Sequence, residues 1–134
     1  MATIKSYTSL EQSRKLSEIL PLESADMCYS NDGTAIKIDA NPYTVRYSMW
    51  KDCVVEIIPC WSLAALLDVL PNNENISTNL SKGGYRISTL EYTNSWFVDY
   101  EDETNGLNNC VTSADNPVDA CYKMIIKLKE RNLI

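Results

Sequence analysis

The chain has 134 residues, 45% of them hydrophobic and 22% charged, which is the composition of one folded domain rather than of a disordered segment. Its formal net charge of -6 and pI near 4.6 disfavour DNA, RNA and anionic membranes as partners, because an acidic protein repels phosphate polymers. The chain contains no histidine, which excludes histidine-based triads and proton shuttles and most zinc sites.

The first predicted element is a helix over about residues 9–20. Thr8 and Glu11 have the spacing of a capping box, in which each side chain accepts a hydrogen bond from the backbone N–H of the other residue. Apolar residues then recur at helical spacing as far as Pro21, which cannot continue the helix.

Four short segments rich in β-branched and aromatic residues follow, separated by turn-forming Asn, Asp, Gly and Pro. This pattern predicts an antiparallel meander. The predicted strands are residues 26–30, 35–39, 43–49 and 53–58.

A short buried helix is predicted in the sequence LAALLDVL. Pro59 is expected to close the preceding strand, Ser62 is the candidate N-cap, and Pro71 ends the helix. The helix is apolar on nearly every side, which predicts burial. A second hairpin is then predicted from residues 85–92 and 95–101, followed by an acidic loop over residues 101–115.

The last predicted helix has Asn116 as its N-cap, Pro117 at its first position and Asp119 as a capping partner. Its apolar residues lie on one face and predict a core-facing stripe. That stripe consists of Val118, Cys121, Met124, Ile125 and Leu128. The lysines of this helix are interpreted as a solvated face.

Together these elements predict a single α+β domain over residues 1–134. It is expected to contain an antiparallel sheet, formed by a meander plus a hairpin, packed with three helices in the order α-β-β-β-β-α-β-β-α. One face of that sheet would lack helices, which favours a homodimer or a larger even homo-oligomer.

The five cysteines are an odd number and form no C-x-x-C pair, which is typical of reduced thiols in a cytoplasm. The N-terminal stretch has no apolar segment of the signal-peptide type, and no apolar run is long enough to span a membrane. We therefore expect a cytoplasmic protein with no membrane partner, no metal and no cofactor.

The acidic residues Asp99, Glu101 and Glu103 would share one face of a continuing strand. Such a set could bind a hard cation or support acid-base chemistry, which keeps a metal-dependent hydrolase open as an alternative. The simpler interpretation is a solvated strand end that runs into a polar loop.

The aromatic residues are unusual, with eight tyrosines and three tryptophans against one phenylalanine. Such side chains suit binding sites, although they also serve cross-strand packing. Trp61 and Ser62 precede the second helix, where an indole face beside free N–H groups would suit a base joined to a phosphate. The alternative is that Trp61 lies in the core. Further candidate ligand contacts are Arg46, Trp50, Arg86, Tyr29 and Asn116, the last of which has capping as its simpler role.

Three stretches, LEQSRKLSEILPLESADMCY, IPCWSLAALLDVLP and DNPVDACYKMIIKLKE, lie near the start, middle and end of the chain. As a set they resemble a family of small uncharacterised proteins from phages and prophage-like elements of gut Bacteroidetes. The resemblance implies an origin in a mobile element and a bacterial cytoplasm. It brings no known activity.

We therefore expect a non-enzymatic, phage-type anti-defence protein that binds and sequesters a nucleotide-derived immune signal without cleaving it. Cyclic ADP-ribose and cyclic dinucleotides are the expected class of ligand. A different possibility is a protein-protein inhibitor that blocks a host defence enzyme through its acidic, Tyr-rich surface.

Overall fold

A computed structural model describes residues 5–29, 35–37, 58–86, 91–103 and 110–134. The chain divides into two compact units. The first unit is Ser6–Asp68, and the second combines Met1–Lys5 with Val69–Ile134. Each unit has its own antiparallel sheet, and among the described strands none of one sheet pairs with a strand of the other.

The described residues of the first unit form two short helices, one 3₁₀ turn and three strands. These elements are α1 (Leu10–Ser17), the 3₁₀ turn (Leu22–Ser24), β1 (Met27–Tyr29), β2 (Ala35–Lys37), β3 (Ile58–Cys60) and α2 (Leu63–Val69), whose last residue belongs to the second unit. β1 lies between β2 and β3 and is antiparallel to both. The predicted strand 43–49 and residues 53–57 of the predicted strand 53–58 lie outside the described residues.

The capping box of α1 is formed by Ser9 and Gln12. The Gln12 N–H donates to Ser9 Oγ at 3.2 Å, and the Ser9 N–H donates to Gln12 Oε1 at 3.0 Å. The predicted box of Thr8 and Glu11 is therefore wrong by one residue. The reason is that Thr8 is wholly buried and its hydroxyl has other partners.

Thr8 joins the start of α1 to the strands through a buried polar cluster. Its Oγ1 accepts the Trp61 N–H at 3.1 Å and lies 2.7 Å from Ser13 Oγ. Its carbonyl accepts the Tyr29 hydroxyl at 2.6 Å and the Cys60 thiol at 3.5 Å. Buried polar groups are tolerated only when they are hydrogen-bonded in this way, so the cluster fixes the positions of its members.

Pro59 was expected to close a strand, but it lies in the middle of β3, opposite Cys28. β3 is at the edge of the described part of this sheet, and an edge strand tolerates proline because one row of its N–H groups has no strand partner. The pairing of β3 with β1 brings together segments that are far apart in the sequence.

In the part of the second unit that the structure describes, three strands form a sheet in the order β4-β5-β6, and one long helix follows them. Its elements are β4 (Ile76–Arg86), β5 (Glu91–Asp102), β6 (Cys110–Ala114) and α3 (Pro117–Glu130). β6 falls inside the segment predicted as an acidic loop. Its residues alternate between buried or half-buried and exposed, but the run has only five residues and lies between Asn108–Asn109 and Asp115, so its sequence is typical of a loop.

The stripe predicted on the last helix is confirmed, because all five of its members are buried. It faces the side of the sheet that carries Val98, Tyr100 and Cys110, with Cys110 Sγ 3.6 Å from Met124 Sδ. The opposite side carries the polar residues Ser77, Asn79, Ser81, Asp99, Glu101 and Ser113, together with the buried Phe97 and the exposed Val111. That side is typical of an antiparallel sheet that faces water.

The α+β class is confirmed, as is the order of helix, strands, helix, strands and final helix. β6 is an addition to the predicted strands. The predicted bounds of the second hairpin are wrong, because its predicted turn between residues 92 and 95 lies inside β5, and β4 begins at Ile76 rather than at residue 85. None of the described helices is long and apolar enough to cross a membrane.

Candidate functional site

Trp61 lies in the core of the first unit, with 0% of its surface exposed. Its indole Nε1 donates to Ser24 Oγ at 3.0 Å, and its carbonyl accepts the Thr8 N–H at 2.9 Å. A stacking role needs an accessible ring face. The structure therefore corrects the ligand-contact prediction for Trp61 and favours the alternative of a core residue.

Ser62 is the N-cap of α2, as predicted, and its Oγ accepts the Ala65 N–H at 3.2 Å. The start of this helix already holds a carboxylate. The Ser62 N–H donates to Asp26 Oδ1 at 2.9 Å, and the Ser62 hydroxyl donates to Asp26 Oδ2. The expectation of a free N–H for a phosphate is wrong at Ser62, because Asp26 supplies the anion that a helix N-terminus favours.

Tyr29 is a core residue rather than part of an open pocket. It packs with Ile58 and Cys60, and its ring meets that of Tyr7 edge-on at 6.4 Å. Burial, with smaller effects of Cys60 and Tyr7, raises the pKa of Tyr29 to about 12. Its hydroxyl already donates to the Thr8 carbonyl.

Asn116 caps α3, which is the simpler of the roles considered for it. Its Oδ1 accepts the Asp119 N–H at 2.8 Å, and its Nδ2 donates to Asp119 Oδ2 at 2.8 Å. The other Asp119 oxygen lies 2.8 Å from Lys5 Nζ. The polar groups of this helix start are thus engaged with one another.

The remaining candidates form no site in the described structure. Arg46 and Trp50 lie outside the described residues. Arg86 is the last residue of β4, opposite Glu91, and its side chain is not among those described.

The acidic residues of the hydrolase alternative do not converge on a metal position. Asp99 is half-buried, whereas Glu101 and Glu103 are exposed. Within the described ranges, no group of three or more Cys, Asp or Glu side chains is placed to hold a metal ion.

The described cysteines are free thiols buried in the two units, namely Cys28, Cys60, Cys110 and Cys121. Burial raises the pKa of Cys28 and of Cys60, and it raises the pKa of Cys121 to about 12. Since the thiolate is the nucleophilic form, Cys28, Cys60 and Cys121 are poorly reactive near neutral pH.

A groove beside α3 is a concave surface lined by described residues, and we call it the α3–β6 groove. Its volume is about 330 Å³, and it is shallow and largely open to solvent. Its lining residues are Thr112, Tyr122, Lys123, Ile126, Lys127 and Glu130. Thr112 Oγ1 donates to the Ala120 carbonyl at 2.9 Å, which ties β6 to the helix that forms the other wall.

The groove brings cations and an aromatic ring together in an acidic protein. Lys123 Nζ donates to the Ser113 carbonyl at 2.9 Å, so this side chain reaches from the helix to the strand. Lys127 is half-buried, and its ammonium has no hydrogen bond or ion pair with the described residues. Tyr122 and Ile126 lie one turn apart and supply an aromatic and an apolar surface.

Sequence reasoning treated the α3 lysines as a solvated face and missed this groove. One signal was present, namely the pair Tyr122 and Ile126, which stand at helical spacing but outside the buried stripe. An apolar pair on the flank of an amphipathic helix indicates a second surface besides the core.

No family model, no curated protein and no solved structure matches this chain. Its function has to be inferred from the residues themselves.

Proposed function

We propose that this protein binds a nucleotide-derived small anion in the α3–β6 groove and sequesters it without cleaving it. The observation that carries the proposal is the position of Lys127 in the same groove as Tyr122, in a chain of net charge -6. In the phage setting that the sequence resemblance implies, the ligand would be a host immune signal such as cyclic ADP-ribose or a cyclic dinucleotide.

The size of the groove supports a small ligand. Its volume of about 330 Å³ falls at the lower end of small-molecule sites, which span roughly 300–1,000 Å³. Tyr122 and Ile126 offer a surface on which a base can lie, and the two lysines offer charge-assisted hydrogen bonds to phosphate. The overall negative charge disfavours long phosphate polymers and leaves short anions as the favoured partners.

Retention rather than hydrolysis is proposed because the groove offers binding groups and no activated nucleophile. The Thr112 hydroxyl, the aliphatic hydroxyl in the lining, already donates to the Ala120 carbonyl. The described thiols are buried, and burial raises the pKa of Cys121 to about 12.

Binding to a panel of mononucleotides, cyclic ADP-ribose and cyclic dinucleotides, followed by calorimetry and chromatography, tests the proposal. Lys127→Gln should weaken binding about tenfold or more, equivalent to about 1.4 kcal/mol. Lys129→Gln is the matched control, because it removes the same charge from an exposed residue of α3 outside the groove. Ligand released by heat should be chemically unchanged.

Each other result has a distinct meaning. Equal losses in the two variants would mean that the overall charge attracts the ligand and the groove does not. Altered ligand after release would indicate an enzyme. Failure to retain any member of the panel, with capture of a host protein, would overturn the proposal in favour of a protein-protein inhibitor.

A further inference from the structure

The α3–β6 groove is small and open for a ligand that contains two nucleotides. Its volume of about 330 Å³ is at the lower end of the range for small-molecule sites, and it is shallow and largely open to solvent. Such sites usually bury about 70–90% of the surface of a ligand. A cyclic dinucleotide has two bases, two sugars and two phosphates, so a groove of this depth leaves much of that ligand in contact with water.

The residues of the groove supply one set of nucleotide contacts. Tyr122 and Ile126, one turn apart on α3, form one apolar surface, and Lys123 and Lys127, also one turn apart, form one pair of cations. The Lys123 ammonium has three donors and gives one of them to the Ser113 carbonyl, which leaves two for a phosphate. The set matches one base with one phosphate, which is half of a cyclic dinucleotide.

A second protein chain has access to the ligand at the rim of the groove. Lys123 and Ser113 are both exposed, and the hydrogen bond between them lies at the surface where β6 borders the groove. The part of a ligand that projects from the groove would therefore not be covered by the rim residues.

We propose that a cyclic dinucleotide is shared between the α3–β6 grooves of two copies of this chain, with one nucleotide half in each groove. This inference rests on the proposed function and narrows its ligand class to cyclic dinucleotides. The two halves of cyclic di-adenosine monophosphate are identical, so the half that one groove leaves exposed presents to a second copy the same base and phosphate. The lysines of two grooves repel each other unless the two phosphates lie between them, so this pairing depends on the ligand.

Cyclic di-adenosine monophosphate and adenosine monophosphate are the decisive pair of probes, because the second is one half of the first. We expect calorimetry to give one cyclic dinucleotide per two chains and light scattering to give twice the ligand-free mass. Adenosine monophosphate should bind at one per chain and leave the mass unchanged. In a large excess of the cyclic dinucleotide each groove takes its own ligand, so the mass should return towards the ligand-free value.

Lys127→Gln tests whether the groove itself holds the shared ligand. The paired complex contains two grooves, so a tenfold weaker contact in each should lower the formation constant of the pair about a hundredfold. Lys129→Gln removes the same charge from an exposed residue of α3 outside the groove and should leave the doubling of mass unchanged. Thermal melting of each variant shows whether a lost pairing reflects a lost fold.

The outcomes separate this inference from the proposed function. Binding of the cyclic dinucleotide at one per chain at every ratio, with an unchanged mass, overturns the sharing and leaves nucleotide binding standing. A mass that also doubles with adenosine monophosphate overturns the sharing too, because the pairing would then not need a second nucleotide half. Absence of binding by every nucleotide in the panel overturns the proposed function and this inference together.

Discussion

Asp26 and Ser62 are joined by two hydrogen bonds between residues 36 positions apart. The Ser62 N–H lies 2.9 Å from Asp26 Oδ1, and the Ser62 hydroxyl donates to Asp26 Oδ2. The Asp26 carboxylate thus occupies the positive end of α2, a position that also favours a phosphate. The chain uses this helix start to hold its own first unit together.

We expect Asp26→Ala to lower the free energy of unfolding by about 2 kcal/mol, because two charge-assisted hydrogen bonds are lost at a half-buried position. Ser62→Ala should cost about 1 to 2 kcal/mol, as for other helix N-caps. Urea denaturation of both single variants and of the double variant measures the interaction free energy between Asp26 and Ser62. Since the two residues bond each other, the double variant should lose less than the sum, and strict additivity would contradict the pairing.

Trp61→Ala should lower the free energy of unfolding by ~3 to 5 kcal/mol, because a wholly buried indole is replaced by a cavity. Nucleotide binding by the molecules that remain folded should be unchanged, since Trp61 does not line the α3–β6 groove. Thermal melting of this variant tests the role of Trp61 in the core, and calorimetry tests whether Trp61 stacks on a ligand. Normal melting with lost binding would restore the stacking role that the sequence suggested.

The stability of the protein should fall in alkaline solution. In the unfolded chain the Cys121 thiol ionises near its ordinary pKa of 9.0, whereas burial raises the folded pKa to about 12. The stability that comes from keeping this thiol neutral is therefore complete below pH 9 and is lost as the pH rises towards 12. Each such group contributes a slope of up to about 1.4 kcal/mol per pH unit.

Urea denaturation between neutral pH and pH 11 measures this slope, and Cys121→Ala is the control. The alanine variant starts from a lower stability because it loses packing, but it should decline less steeply above pH 9, where the unfolded thiol would ionise. Tyr29 contributes a similar loss that begins near its ordinary pKa of 10.0. Identical slopes in the two proteins would show that the Cys121 thiol is not held neutral by the fold.

The homo-oligomer expected from the sequence stays a prediction, and light scattering at micromolar concentration tests it. We expect a mass of twice the chain mass of 15.1 kDa or a larger even multiple. Four large apolar side chains among the described residues are exposed. Tyr7, Leu10 and Leu67 belong to the first unit and are candidates for the contact, whereas Val111 lies alone among polar residues of the second sheet. Leu10→Glu should then yield a single-chain mass. A single-chain mass for the unmodified protein would contradict the predicted homo-oligomer.

The features that sequence reasoning predicted correctly are those set by neighbouring residues. The buried stripe of α3, the Asn116 and Ser62 caps and the end of α2 before Pro71 all follow from helical periodicity, capping and the missing N–H of proline. Each of these depends on residues within about three turns of a helix, so the local sequence suffices.

Tertiary packing decided the rest, because the relevant partners are distant in the sequence. The burial of Thr8 by Trp61 moved the capping box of α1 to Ser9 and Gln12. The Asp26 carboxylate took the helix start that had been assigned to a ligand. The α3–β6 groove forms where the short strand β6 packs beside α3. No local sequence pattern predicts that these two elements are neighbours. Sequence periodicity shows which face of a helix is buried, whereas contacts across the fold determine which polar groups remain available to bind.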